Sequence, residues 1–272
     1  MNPRVHGLHL RMSRAYLLET ETGLVLIDAG IPGDERWILG AMRRLGRDDL
    51  RLIFITHAHF DHYGSAAALR RATKAPVAVH REDAEAMADG LTPIGRARGL
   101  GPLSQAALAV AQAIVRAPAT PADLLLADGE CLPGLSALTR VVHTPGHTPG
   151  SCCLLVDRQM AFVGDLITAT FRPRVQCRFA TDWSQIPTSL ARLQSLRPAL
   201  VYPGHGPGPI PGDVLQALTV GDRRGGTPPP PPTHDKRRGG GRGPPPPPRP
   251  GARGRPPPRG SAGVAPTTHT AP

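Results

Sequence analysis

The chain has 272 residues, 33 of them Pro and 31 Gly, with 32 Lys and Arg against 21 Asp and Glu, a length that allows one large domain or two small ones. No apolar run approaches the ~20 residues a membrane helix needs and no charged-then-apolar leader opens the chain, so a soluble cytoplasmic protein is expected, with no membrane partner. The net charge of +11 is unevenly placed: from Gly221 onward ten Lys and Arg stand against two Asp, which leaves only +3 on residues 1–220 and excludes a strongly basic folded surface.

Residues 7–12, 15–19 and 24–28 read as strands, the last two parted by a Glu21-Thr22-Gly23 turn. Asp28 ends the third in a carboxylate that either orients a neighbouring loop or caps a turn. Residues 34–45 form an amphipathic helix pattern with Trp37, Leu39, Ala41, Met42 and Leu45 available for burial. An apolar strand over 52–55 then breaks at Thr56 into His57, Ala58, His59, Phe60, Asp61 and His62, with a helix beginning after Tyr63. Two residues apart on extended backbone, His57 and His59 point the same way and can grip one ion. Asp61 and His62 fall past the bend and can reach a second. Imidazole nitrogens and a carboxylate suit zinc, iron or manganese.

A strand over 76–79 ends at His80, which has no second ligand beside it and reads as structural, and residues 82–88 read as a helix. Leu103, Ala107, Val110 and Ile114 recur at helical spacing, with Leu108, Ala111 and Val115 widening the apolar face, so that helix packs in the core or a dimer, or covers a site as a lid. A strand over 138–142 enters a loop in which two Pro-Gly pairs stiffen the backbone around His147. His143, still on the strand, reads as structural. Strands over 152–156 and 159–163 make a hairpin that ends in Gly164-Asp165. A helix with Leu190, Leu193 and Leu196 on one side precedes a strand over 199–202, which runs into Pro203-Gly204-His205-Gly206. Ligand groups thus stand just past the carboxyl ends of four strands. Cys131, Cys152, Cys153 and Cys177 lack C-x-x-C spacing, and the adjacent pair suits a reduced interior.

From Gly221 onward there is no Leu, Ile, Met, Phe, Trp, Tyr or Glu. Residues 221–272 therefore read as a disordered Pro/Arg/Gly-rich tail after a domain over 1–220. The tail is a linker or docking segment whose Arg-Gly clusters would attract nucleic acid, or an out-of-frame product of a GC-rich gene, since the helix beginning at Asp213 stops abruptly at the composition break.

THAHFDH, TPGHTPGS, VGDLI, YPGHG and the early LVLIDAG together resemble, in order, the motifs of the metallo-beta-lactamase superfamily of hydrolases, in its generic, glyoxalase II-like form. The resemblance covers residues 5–220 and implies an α+β fold, an αββα sandwich of two mixed β-sheets flanked by helices. It implies that His57, His59 and His147 hold one divalent ion and Asp61, His62 and His205 another, with Asp165 between them. Two ions, zinc first with iron or manganese as alternatives, would share a hydroxide that attacks the substrate, and Asp61 would be the catalytic residue that handles the proton. The implied activity is hydrolysis of a small ester, thioester or lactone. A phosphodiesterase acting on nucleic acid and a non-catalytic metal-binding scaffold are the alternatives. His205-Gly206-Pro207 departs from a true glyoxalase II, Thr168 from the Tyr usual in acyl-homoserine lactonases, and Asp165 from the main beta-lactamases. Phe60, Tyr63, Trp183 and Arg172-Pro173-Arg174 are candidates for the pocket wall.

Overall fold

A computed structural model describes residues 3–98, 106, 110, 116–135 and 138–221. Apart from Ala106 and Val110, the helix read over 103–115 lies outside the described residues, as does the tail from 222 onward. Two sheets carry the architecture. In the first, β1 (Val5–His9), β2 (Arg14–Thr20), β3 (Gly23–Ile27), β4 (Leu50–Ile55), β5 (Val77–His80) and β7 (Leu124–Leu126) lie side by side, antiparallel through β3 and parallel thereafter. The second has the order β15 (Ile210–Pro211), β14 (Leu200–Tyr202), β10 (Met160–Phe162), β9 (Cys152–Val156), β8 (Thr139–His143), with only β10 and β14 parallel. Two-residue ribbons pair β6 (Arg96–Ala97) with β13 (Phe179–Ala180) and β11 (Ile167–Thr168) with β12 (Arg174–Val175).

Because successive strand residues point to opposite faces, the apolar runs feed separate layers. On β3, Leu24 and Leu26 face one core while Val25 and Ile27 face another; on β4, Ile53 and Ile55 part from Leu52 and Phe54 in the same way. The first set packs beneath α1 (Glu35–Arg44) and α3 (Ala66–Thr73), through Ile38, Ala41, Met42 and Leu69. The second set meets Val141, Cys152, Leu154 and Phe162 across the gap between the sheets. Cys153 and Leu155 turn the other way, toward Ile186, Leu190 and Leu193 of α5 (Ile186–Ser195) and Leu215 of α6 (Gly212–Ala217). Helix, sheet, sheet and helix thus form four layers with three apolar interfaces, the expected αββα sandwich. A strand buried on both faces reads as a continuous apolar run, which is why β3, β4 and β9 stood out.

Differences are local. Trp37 is 57 % exposed, and Ile38 takes its place in the core. The helix read over 82–88 is a 3-10 turn, Arg81–Asp83, followed by α4 (Ala84–Ala88). Among the described residues no helix is long and apolar enough to cross a membrane. The layering separates neighbours on β7: Leu126 is buried while Leu125 is 57 % exposed. Leu126→Ala should lower the urea-unfolding free energy by about 2–5 kcal/mol and Leu125→Ala by no more than about 0.5 kcal/mol; equal losses would contradict this packing.

Candidate metal centre

Five strands of the two sheets end at one edge of the sandwich, and the residues that follow them converge there. His57 and His59 follow β4, Asp61 and His62 open the one-turn helix α2 (Phe60–Tyr63), His147 lies beyond β8, Asp165 beyond β10 and His205 beyond β14. Asp28, beyond β3, holds a positive φ of 59°. Close approach demands glycine at two of these ends. Gly164 has φ +48° and a Cβ there would stand 2.7 Å from Thr56 Oγ1; at Gly204 a Cβ would lie 2.7 Å from His62 and 2.8 Å from Asp165 Oδ1.

The outer partners of the imidazoles fix which nitrogen is bare. Asp28 accepts from the Thr56 N–H at 2.8 Å and from the Thr56 hydroxyl at 2.9 Å. With its one proton spent on Asp28, Thr56 Oγ1 accepts from His57 Nδ1–H at 3.0 Å, which leaves His57 Nε2 as a lone pair. His59 Nε2–H donates to the Pro93 carbonyl at 3.1 Å and His147 Nδ1–H to the Phe179 carbonyl at 2.9 Å. His62 Nδ1–H donates to Asp28 Oδ2 at 2.8 Å, so Asp28 orients the His57–His62 loop rather than capping a turn.

Every inner nitrogen then faces the others. His59 Nδ1 and His147 Nε2 stand 3.1 Å apart, and His62 Nε2 and His205 Nε2 3.4 Å apart. Asp165 reaches across, with Oδ1 3.3 Å from the Nε2 atoms of His62 and His205 and Oδ2 3.4 Å from His147 Nε2. Asp61 Oδ2 is 3.3 Å from His205 Nε2. Ligand atoms of His57, His59, His147 and Asp165 lie within 4.8 Å of one another, as do those of Asp61, His62 and His205. His57 Nε2 and Asp165 Oδ1 are buried without a hydrogen bond. A buried lone pair left without a donor is costly in protein alone and is what a cation would satisfy, while Asp165 Oδ1 has only its 3.3 Å ion-pair contacts to His62 and His205. The seven residues named from the sequence are therefore brought together, and their donor set fits divalent metal ions.

The charges divide within the cluster. Burial, and then the neighbouring imidazoles, push His57 far below the ordinary histidine range and His59 down to about 3. Asp165 raises His205 to about 10. At His62, burial is outweighed by Asp28, Asp61 and Asp165, and the net shift is upward. Asp61 is lowered to about 2 despite its burial, chiefly by His62. In the ion-free chain, protons on His62 and His205 balance the two carboxylates.

Sequence reading missed two supports. Asp83, fully buried, accepts at 2.7 Å from the Ala58 N–H, the Thr148 hydroxyl and the Gly150 N–H, and so ties the His57–His59 loop to the His147 loop. Gln176 donates from Nε2 to the Asp165 carbonyl at 3.2 Å and accepts from the Arg178 N–H at 2.9 Å. Neither stands in a pattern that singles it out. His80 does have a partner that the sequence hid, since His143 stacks on it.

The cluster floors a cavity of about 690 Å³ with largely apolar walls, including Met12, Ile31, Phe60, Ile94, Phe171 and Phe179, together with Arg174 and Arg178. Of the residues expected on that wall, Phe60 and Arg174 line it. Tyr63 is instead fully buried with its hydroxyl on the Leu91 carbonyl, and Trp183 donates to the Arg96 carbonyl with Arg98 over its ring. All four cysteines are free.

The sequence pattern of the metallo-beta-lactamase superfamily matches residues 10–205, and the chain belongs to that superfamily of metal-binding hydrolases. It is 27 % identical over 202 residues to an atrochrysone carboxyl ACP thioesterase of Aspergillus fumigatus, covering 73 % of this chain and 52 % of that one. Similarity to an N-acyl homoserine lactonase of a Bacillus species is 28 % over 169 residues, 53 % of this chain and 58 % of the other. The crystal structure of TTHA1623 in a di-iron-bound form superimposes with a TM-score of 0.57 at 31 % identity, over 77 % of this chain and 95 % of that one. The chain spans about half the length of the first curated relatives it matches, 56 % and 52 %.

Two outcomes follow from the geometry. A divalent ion must displace the protons held on His62 and His205, so zinc loading near neutral pH should release protons and weaken as pH falls. Calorimetric titration in buffers of different ionisation enthalpy measures this, and loading without proton release would contradict the charge assignment. Asp83→Ala leaves two backbone N–H groups unpaired and frees two ligand loops, so zinc affinity, read by chelator competition, should fall about 10–100-fold; parent-like affinity would show that Asp83 does not position the ligands.

Proposed function

We propose that this protein is a dinuclear metallohydrolase of small esters, thioesters or lactones bearing an apolar acyl group. The observation that carries the reading is the set of bare imidazole nitrogens and two carboxylates converging on the floor of a mostly apolar cavity. His57, His59 and His147 would hold one ion and Asp61, His62 and His205 the other, with Asp165 reaching both. Zinc fits the nitrogen and oxygen donors, and iron is the alternative supported by the di-iron neighbour. When bound, such a pair supplies Lewis acidity and an activated water at neutral pH.

The chain's own groups do the rest. Met12, Ile31, Phe60, Ile94, Phe171 and Phe179 take up an acyl chain and exclude water from the scissile carbonyl. Arg174 and Arg178, on the same wall, meet a negative group on the leaving portion. Asp61, ionised over the whole neutral range and facing the cavity, is the residue placed to take a proton from the attacking water and pass it to the leaving atom. No serine or cysteine nucleophile is required. The thioesterase and lactonase relatives support the substrate class. Four free thiols suit a reducing, cytoplasmic compartment.

The test is turnover of zinc-loaded protein on thioesters and lactones of increasing acyl length, with bis-p-nitrophenyl phosphate alongside. Activity should rise with chain length, and Asp165→Ala should lose both metal and about a hundredfold or more of kcat/KM. Preference for the phosphodiester, or full turnover by Asp165→Ala, would overturn the reading.

A further inference from the structure

A second group of ligand-type side chains meets outside the cavity. His80, at the end of β5, and His143, at the end of β8, come from different sheets and stack with ring centroids 4.0 Å apart and planes within 11°. Glu82, on the 3-10 turn, places Oε2 3.8 Å from His143 Nε2, and the Pro149 carbonyl oxygen lies 2.8 Å from that same nitrogen. One ligand atom from each of His80, Glu82 and His143 lies within 4.8 Å of the others.

We propose that His80, Glu82 and His143, completed by the Pro149 carbonyl, form a third and separate site for a single divalent ion of the zinc, nickel, cobalt or copper class. Bonds of about 2.0–2.2 Å put neighbouring ligands of one ion about 3 Å apart. His143 and Pro149 meet that spacing through a hydrogen bond from His143 Nε2–H to the Pro149 carbonyl, so an ion takes the place of that proton, and Glu82 need close by only about an ångström. Its side chain is 51 % exposed and makes no other ion pair among the described residues, so nothing holds it back. Because each lone pair lies in its ring plane, the stacked rings must tilt apart for both to reach one ion, and a set of two nitrogens and two oxygens disfavours magnesium and calcium. His80 is 3 % exposed, and burial, then His143, keep it neutral, with a pKa of about 4.

The place of this site in the fold gives it a role. His143 and Pro149 bracket His147, and Glu82 adjoins Asp83, whose carboxylate links the His147 loop to the His57–His59 loop. An ion here would tie together the two segments that Asp83 already joins, and so stiffen the support of the main cluster without entering it.

The protein dialysed against buffered free zinc, with bound metal counted by mass spectrometry, tests the proposal. The parent should bind three equivalents. His143→Ala should bind one fewer, and Glu82→Gln should hold the third more weakly. Both residues are partly exposed, and circular dichroism checks that each variant folds. Raising bound zinc from two to three equivalents should raise the melting temperature of the parent protein, and excess zinc should leave that of His143→Ala unchanged. Asp165→Ala should keep the ion that His143→Ala loses, which separates failure of the main cluster from failure of this one. A parent that binds no ion sensitive to His143, or a His143→Ala protein with the parent's full stoichiometry, overturns the proposal.

Discussion

Lone pairs of the same sign face one another across about 3 Å inside a buried bowl, and the rest of the molecule is arranged around that conflict. At His59 and His147 the outer ring nitrogens are committed to backbone carbonyls, so neither inner nitrogen carries the proton that would make their 3.1 Å approach a hydrogen bond. Repulsion of this kind is amplified away from water. It is relieved by a positive charge, either as protons drawn onto His62 and His205 by the two carboxylates or as bound metal ions.

Holding such groups together requires rigid supports, and the two-sheet sandwich provides them. Strands from both sheets end at the same edge, so ligands scattered from His57 to His205 arrive on backbone whose strands are paired on both sides or packed in the core. Asp28 and Asp83 act as cross-links at the points where the chain leaves the strands. Asp28 sets the orientation of His62 directly and of His57 through Thr56, and Asp83 sets the spacing between the loops of His57, His59 and His147. Their energetic cost as buried carboxylates is offset by the donors each collects.

Much of this was legible in the sequence because the signals were local. The HAHFDH cluster, the Pro-Gly pairs about His147 and the carboxylate or histidine after each apolar run are readable within a few residues. Strands buried on both faces announce themselves as unbroken apolar runs. What stayed hidden depends on contacts between distant segments. Asp83 sits in an ordinary Arg-Glu-Asp turn, and His80 and His143 are 63 positions apart in chain and become neighbours only when the sheets pack. The ribbons β6–β13 and β11–β12 are two residues long and carry no periodicity, yet they shape the cavity wall through Arg174 and Phe179. Trp37 reads as available for burial from its apolar character, whereas the phase of α1 gives that place to Ile38.

In the proposed function the walls choose the substrate and the floor supplies the chemistry, and what occupies the floor decides it. Crystals of the purified protein, measured at the zinc and iron absorption edges, test it most directly. The account predicts two anomalous peaks about 3.5–4 Å apart, one among His57, His59 and His147 and one among Asp61, His62 and His205, with Asp165 between them. An active protein whose crystals show no anomalous density there, with the imidazoles turned away from one another, would contradict it.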